Sequence, residues 1–258
     1  MSAPLPLTTH SADGLFEIRF NRPDKKNALT AAMYTAGAEA IAAAEADPLV
    51  RAVLIAGTED CFTAGNDMAD FLMNPPQTQD SPVSHFMRAL AAMQKPLVAA
   101  VNGPAIGIGT TLLLHSDLVY AGAGTRFQLP FVAIGICPEF GSSLMMPAIM
   151  GHVRAAELLL LGEPFSAAKA AEVGLVNEVL PDAEVLGRAR AQARKFVALP
   201  PNAVRQAKAL LKRWTRPQVE DAIRIEGEAF MAMLKQPEAL EALTAFAQKR
   251  KPDFSRFR

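Results

Sequence analysis

The chain has 258 residues, half of them apolar, and its 26 basic and 26 acidic side chains cancel to no net charge. That is enough apolar material for one large domain or a domain with a helical appendage. The charge balance gives no reason to expect nucleic acid or an acidic tail, and no apolar run reaches the roughly 18 residues a membrane span needs. Two cysteines, Cys61 and Cys137, make neither a disulfide framework nor a metal-ligand spacing, so a reducing compartment, the cytoplasm, is expected.

Along the chain, Met1 to His10 lacks a basic stretch followed by an apolar run and reads as a short frayed leader, not a signal peptide. Leu15 to Phe20 alternates at the strand period, and Asn21 to Asn27 is a turn. Thr30 is placed to cap an Ala-rich helix running to about Asp47, which Pro48 forbids from continuing. Arg51 to Ala56 reads as a buried strand bounded by Gly57. A long irregular segment follows, opening on Cys61-Phe-Thr-Ala-Gly-Asn-Asp67 and broken by Pro75-Pro76, with a mobile surface stretch expected from about 73 to 82. Leu97 to Val101 is a short strand, Asn102 to Gly109 a tight turn, Thr110 to His115 the start of a helix and Leu118 to Tyr120 the start of a strand. This alternation predicts a layered α/β architecture.

After Gly151 helical patterns cover 153–161, 166–172, 182–198, 202–213 and 217–248, with a break near Pro237. The stretch Lys195 to Pro201 divides a main body, 1–199, from a C-terminal helical segment, 200–258. Leu210, Leu211, Trp214, Ile223, Ile225, Phe230 and Leu234 recur at helical spacing there. With no second domain to pack on, some of that surface is expected to meet another subunit. The end, Ser-Arg-Phe-Arg258, is not a Ser-Lys-Leu peroxisomal address.

The most informative residue is Glu139, a lone carboxylate in the apolar, Gly- and Pro-punctuated stretch Phe131 to Pro147. A carboxylate held among such neighbours is paired or used in proton chemistry; a surface or helix-capping Glu139 is the alternative. Two Gly-rich turns, Phe62 to Asp67 and Gly103 to Gly109, each follow a short strand, and the second opens a helix. A backbone N–H from each is the simplest oxyanion hole, and a helix N-terminus adds partial positive charge. Turn-making alone is the competing reading. The second turn is not Gly-x-Gly-x-x-Gly, because position 112 is Leu, so dinucleotide binding has weak support.

Other chemistry has less behind it. His10, His85, His115 and His152 form no His-x-x-x-His pair, and His115 is expected on a buried helix or its rim, so no metal site is expected. Ser142 and Ser143 follow Glu139 too closely for a serine triad, and one of them is placed to cap the next helix. Cys137 has no activating His beside it and reads as a small apolar filler. Met145, Met146 and Phe131 suit an acyl pocket or the core. Lys249, Arg250 and Lys251 suit phosphates or a solvated end.

Phe62-Thr-Ala-Gly-Asn-Asp67 paired with Ala100-Val-Asn-Gly-Pro-Ala-Ile-Gly-Ile-Gly109, then Ser116-Asp-Leu-Val-Tyr120, resembles the enoyl-CoA hydratase/isomerase (crotonase) superfamily. Asn21-Arg-Pro, Asn27-Ala-Leu29, Gly174-Leu-Val-Asn-Glu178 and Lys249-Arg-Lys-Pro-Asp-Phe254 add to the likeness, which runs from about 14 to 254. The resemblance implies an α/β spiral of ββα units with a C-terminal helical oligomerisation segment, a homotrimer or dimer of trimers, an acyl-CoA thioester as substrate, and no separate cofactor. It implies an oxyanion hole from the N–H groups of Asn66 and Ile108. Ala64, Gly65, Asn66, Asp67 and Met68 would meet CoA or the thioester, as would Phe131, with Lys26, Ala28 and Leu29 near the pantetheine or adenine. The two glutamates of the hydratases fall at Thr111 and Phe131, neither of which exchanges protons as a carboxylate does. Cys137-Pro-Glu139-Phe-Gly instead is similar to the peroxisomal-type Δ3,Δ2-enoyl-CoA isomerases, with Glu139 as the proton carrier. Hydration, another CoA-ester reaction of this fold, or acyl-CoA binding without turnover are the alternatives. Asp67 is read as capping the following turn in preference to acting as an acid.

Overall fold

The structure, a computed structural model, describes residues 5–257. The strands are β1 (Leu7–Ala12), β2 (Leu15–Phe20), β3 (Ala52–Ala56), β4 (Leu97–Val101), β5 (Pro104–Ile106), β6 (Leu118–Gly122), β7 (Arg126–Gln128), β8 (Phe165–Ser166) and β9 (Glu178–Leu180). The helices are α1 (Ala31–Ala46), α2 (Met68–Met73), α3 (Pro82–Ala92), α4 (Ile108–Thr111), α5 (Ser142–Met150), α6 (His152–Ala156), α7 (Ala167–Glu172), α8 (Val185–Ala198), α9 (Pro201–Lys212), α10 (Arg216–Met233) and α11 (Pro237–Ala247).

A six-stranded sheet runs in the order β1-β2-β3-β4-β6-β9, antiparallel only between β1 and β2. β3 and β4 are buried on both faces, which is why they read as unbroken apolar runs. Alternate side chains serve two cores. Val53, Ile55, Leu97, Ala99 and Val101 point into the large one, while Ala52, Leu54, Ala56, Val98 and Ala100 pack under Ala189 and Ala193 of α8. A second, smaller sheet takes β5, β7 and β8. Two single bridges, Leu29 to Asn66 and Thr63 to Ala105, extend this second layer back toward the N-terminus. Each repeat therefore supplies one strand to the large sheet, turns, lays a short extended piece in the second layer and enters a helix. This is the expected α/β spiral of ββα units.

Several predicted elements fall where expected. Thr30 caps α1, its Oγ1 accepting from Met33 N at 3.3 Å, and α1 stops before Pro48. The helices after Gly151 match, with the break before Pro237. Other expectations are corrected. Met1 to Pro4 lie outside the described residues, but Leu7 to His10 are no frayed leader: they form β1, paired with β2 through Leu7–Phe20. The segment taken as irregular holds α2 and α3. α3 follows a Ser81 cap and Pro82 at its first position, and buries Phe86, Met87 and Leu90 against the main core. β7, β8 and β9 were not legible, because strands of two or three residues carry no period. Ser142 and Ser143 sit inside α5, whose N-cap is Gly141. Among the described residues no helix is long and apolar enough to cross a membrane.

Asn27 ties the first two repeats together. Fully buried and in the left-handed region (φ 53°), it donates from Nδ2 to Cys61 O at 2.7 Å and Phe62 O at 3.2 Å, and accepts Arg22 N at 2.7 Å. Thr63 Oγ1 returns a bond to Asn27 O at 2.7 Å. Replacing Asn27 by Ala leaves Phe62 O without a donor and Arg22 N without an acceptor, while Cys61 O keeps Thr58 N at 2.9 Å, and it keeps a left-handed residue without its side-chain bonds. We expect Asn27→Ala to lower unfolding free energy by on the order of 3 kcal/mol, seen as a lower urea midpoint at unchanged slope. A change within about 0.5 kcal/mol would refute this tie.

Candidate active site

The site begins at the two stacked turns. Thr63 N donates to Pro104 O and Ile106 N to Thr63 O, both at 3.0 Å, while Leu29 N donates to Gly65 O at 2.8 Å and Asp67 N to Leu29 O at 2.9 Å. Gly65 N is held by Thr63 Oγ1 at 3.0 Å. In a parallel bridge the partner residue bonds the groups flanking its opposite number, so the amide of Asn66 itself points away from Leu29. Ile108 is the first residue of α4, where N–H groups have no acceptor within the helix. Among the described residues neither Asn66 N nor Ile108 N donates a hydrogen bond. Gly65 brings the turns together: its φ is +87°, and a Cβ there would stand 2.8 Å from Ile106 O.

Both amides edge a groove of about 770 Å³. Of the residues expected to meet substrate, Ala28, Ala64, Gly65, Asn66, Asp67, Met68, Ile108 and Phe131 line it. Lys26 and Leu29 are placed elsewhere. The Lys26 side chain is exposed while its carbonyl accepts Ala64 N at 2.9 Å, and Leu29 is buried in the main core. The basic residues on the groove are Arg22 and Lys25; Arg22 belongs to the Asn21-Arg-Pro motif, while nothing in the local sequence distinguishes Lys25 from its neighbour Lys26. Asp67 caps α2, its Oδ1 accepting Ala69 N at 3.0 Å and Asp70 N at 3.1 Å, and its Oδ2 takes Arg22 Nη1 at 2.5 Å. Burial works against its charge, but Arg22 and these amides hold the carboxyl below the usual range. Arg250 is paired with Glu241 at 2.5 Å.

Glu139 stands behind Asn66. A chamber of about 40 Å³ is lined by Glu139, Asn66, Phe71, Met87, Phe230 and neighbours, and shares Asn66 and Phe230 with the groove. Glu139 is only 8% exposed. Its Oε1 accepts Thr111 Oγ1 at 2.7 Å. Burial, opposed by that hydrogen bond and reinforced by the charge of Glu226, pushes its carboxyl up to about 8. The group is thus poised to exchange a proton near neutral pH.

Tyr34, Thr111 and Glu226 complete the surroundings, which the sequence contexts of Tyr34 and Thr111 do not announce. Tyr34 OH donates to Asn66 Oδ1 at 2.5 Å, which orients the Asn66 side chain. Burial, with the charges of Glu139 and Asp70, holds this phenol well above its ordinary range, so it stays protonated. Glu226 had a signal: it falls in the apolar period Val219, Ile223, Phe230, where a charge is out of place. His115 is buried, stacks on Phe140 at 4.1 Å and holds Phe140 O at 2.8 Å through Nε2. Burial, against the pull of that carbonyl and with Lys212 and Lys208 nearby, drops it to about 3, so it works as a neutral prop. Cys137 is half-buried, and burial raises its thiol to about 11, which makes it no nucleophile. Met146 is in the core, with Met145 packed against it.

Residues 10–256 match the model of the enoyl-CoA hydratase/isomerase family. The chain is 37% identical over 220 residues to human enoyl-CoA delta isomerase 2, covering 83% of this chain but only 56% of that one. It is 33% identical to crotonyl-CoA hydratase of Syntrophomonas wolfei, covering 91% and 92% of the two chains. Among solved structures, Pseudomonas aeruginosa OdaA superposes with a TM-score of 0.92 at 52% identity, covering 93% of this chain and 98% of that one. With its spiral, its paired turns and these matches, the chain belongs to the enoyl-CoA hydratase/isomerase family.

Proposed function

We propose that the protein is a Δ3,Δ2-enoyl-CoA isomerase. One observation carries this reading: a buried carboxylate, Glu139, shares its chamber with the residue whose amide is unpartnered, Asn66. An acyl-CoA laid in the groove would place its thioester oxygen between Asn66 N and Ile108 N. Glu139 takes a proton from C2, and the electron pair moves through C2 onto the thioester oxygen, where the two amides hold the developing charge. The dienolate then collapses as Glu139 returns the proton to C4, so the C3–C4 double bond becomes C2–C3. Each backbone donor of this kind is worth about 10²–10³ in rate. Lys25, exposed on the groove, suits the CoA phosphates.

Water addition needs a second acid–base group. Thr111 instead donates to Glu139, Phe131 is an apolar wall, and Asp67 is engaged with Arg22 and the α2 cap. Similarity to proteins named enoyl-CoA delta isomerase supports the same choice. The exposed Leu211 (83%) and Trp214 (76%) support self-association, as a trimer or a dimer of trimers.

Product analysis with 3-enoyl-CoA substrates should show 2-enoyl-CoA, and Glu139→Gln should lose roughly 10³ or more of kcat/KM while CoA-ester affinity stays within a few-fold. Turnover retained in that variant removes Glu139 from the mechanism; a 3-hydroxyacyl-CoA product from 2-enoyl-CoA would favour hydration. Because the base must be ionised, kcat/KM should rise with pH through a midpoint near 8.

The same carboxyl affects stability. Its folded value lies above the unfolded value of 4.5, so folding favours the protonated form. That contribution is present below about pH 4.5 and is lost as pH rises through 8. Glu139→Gln is neutral throughout and should be stabilised relative to the parent at pH 9 by on the order of 3 kcal/mol, with the gap closing near pH 5. Equal melting-temperature differences at pH 5 and pH 9 would contradict this.

A further inference from the structure

α10 carries one acidic group on its buried face. Val219, Ile223 and Phe230 are buried there, and Glu226 stands among them at 7% exposure. Its carboxylate crosses to the first turn of α5: Oε2 accepts Gly141 N at 2.5 Å, and Oε1 accepts Ser143 N at 2.8 Å and Ser143 Oγ at 2.5 Å. Every partner is a donor, which is the arrangement that suits an ionised carboxylate, and the positive end of the nine-residue α5 favours the charge. α5 has no side-chain cap from its own N-cap residue, so Glu226 supplies that cap from a distant helix.

The segment it holds carries Glu139. Phe140 and Gly141 are both left-handed, at φ 64° and 75°, and Ser142 N and Oγ reach back to Glu139 O at 3.2 and 2.6 Å. Where α5 begins therefore sets where Glu139 points. Cys137 Sγ, on the other side of Glu139, donates to the Glu226 carbonyl at 3.6 Å. We propose that Glu226 is a positioning residue for Glu139: it fixes the turn from which Glu139 projects and keeps a second buried negative charge beside it. The kinetic part rests on the isomerase reading; the geometric part does not.

The groups facing Glu139 are the Thr111 hydroxyl from α4, the Tyr34 phenol from α1, Glu226 from α10 and the Cys137 thiol of its own loop. None is cationic. Tyr34 and Cys137 stay protonated, which leaves Glu226 as the charge that reinforces burial in raising Glu139. Burial also raises Glu226, opposed by the Ser143 and Gly141 donors. Arg224, two residues before Glu226 on α10, is exposed and pairs with Asp221 and Glu228.

The test compares Glu226→Gln and Glu226→Asp with the parent by two readouts. One is the pH profile of kcat/KM on 3-enoyl-CoA. The other is the infrared titration of the Glu139 carboxyl, its band identified by its absence in Glu139→Gln. Glu226→Gln loses the charge and keeps a single acceptor oxygen, its amide nitrogen being a donor, so both midpoints should move to lower pH by on the order of one unit, and kcat should fall about tenfold with KM within about threefold. Glu226→Asp keeps the charge but is one methylene shorter, so kcat should fall with the midpoint near the parent value. An unmoved Glu139 titration in Glu226→Gln overturns the proposal. A moved titration in a protein whose parent turns over no 3-enoyl-CoA sustains the positioning role and overturns the isomerase reading. If Glu226→Gln does not fold, Glu226→Asp decides alone: full parental kcat overturns the proposal, and a reduced kcat at an unmoved midpoint supports it.

Discussion

A carboxylate kept from water without a cation beside it is held against its own tendency to face solvent, and Glu139 is in that position. Among the described residues its one side-chain hydrogen bond comes from a neutral hydroxyl, Thr111, and the charge that acts on it is that of another carboxylate, Glu226. Such a group keeps one orientation only if its backbone is fixed from several directions. His115 grips Phe140 O from the helix side, Ser142 bonds back to Glu139 O, and Glu226 clamps Gly141 and Ser143 from α10. The left-handed Phe140 lies between these anchors. A strained, apolar loop thus becomes a rigid support for one proton-exchanging oxygen pair.

The spiral accounts for the other half of the site. A short parallel bridge uses the amides on either side of a residue and leaves that residue's own N–H facing outward. At Asn66 the outward direction is the groove. The next repeat enters α4 directly after Gly107, so the N–H of Ile108 is left over by helix geometry. Neither vacancy requires a special side chain. Both follow from stacking one repeat on the next at the closeness that Gly65 permits, and the donors are fixed before any ligand arrives, which is what makes such donors effective at a developing charge.

Legibility in the sequence followed length and period. β3, β4, α1 and the C-terminal helices carry five or more residues of consistent pattern or a clear cap, and they were readable. β7, β8 and β9, of two or three residues, exist because neighbouring strands accept them. β1 was hidden because only Leu7 of its six residues is buried, the pattern of an edge strand with little apolar signal. α3 was masked by Pro75, Pro76 and the polar stretch before it, although Ser81-Pro82 is a helix start in its own right. At the site, Glu139 and the two turns could be found because a charge in an apolar run and paired glycines are local anomalies. Tyr34 could not: a tyrosine in an Ala-rich helix is ordinary, and its bond to Asn66 spans 32 residues.

Glu226 lies between these cases and shows what periodicity offers beyond secondary structure. On α10 the positions 219, 223, 226 and 230 return to one face, and three are apolar. A glutamate among them requires donors from the element that covers that face, and the first turn of α5 is a set of donors lacking an acceptor of its own. The two deficits cancel where the helices meet. The C-terminal helices therefore do more than present Leu211 and Trp214 at the surface. α10 contributes Phe230 and Gly227 to the Glu139 chamber, and α11 brings Phe246 to the groove. The spiral alone would leave Glu139 with an open side, and it is the chain's last third that closes it and keeps the carboxylate out of bulk water.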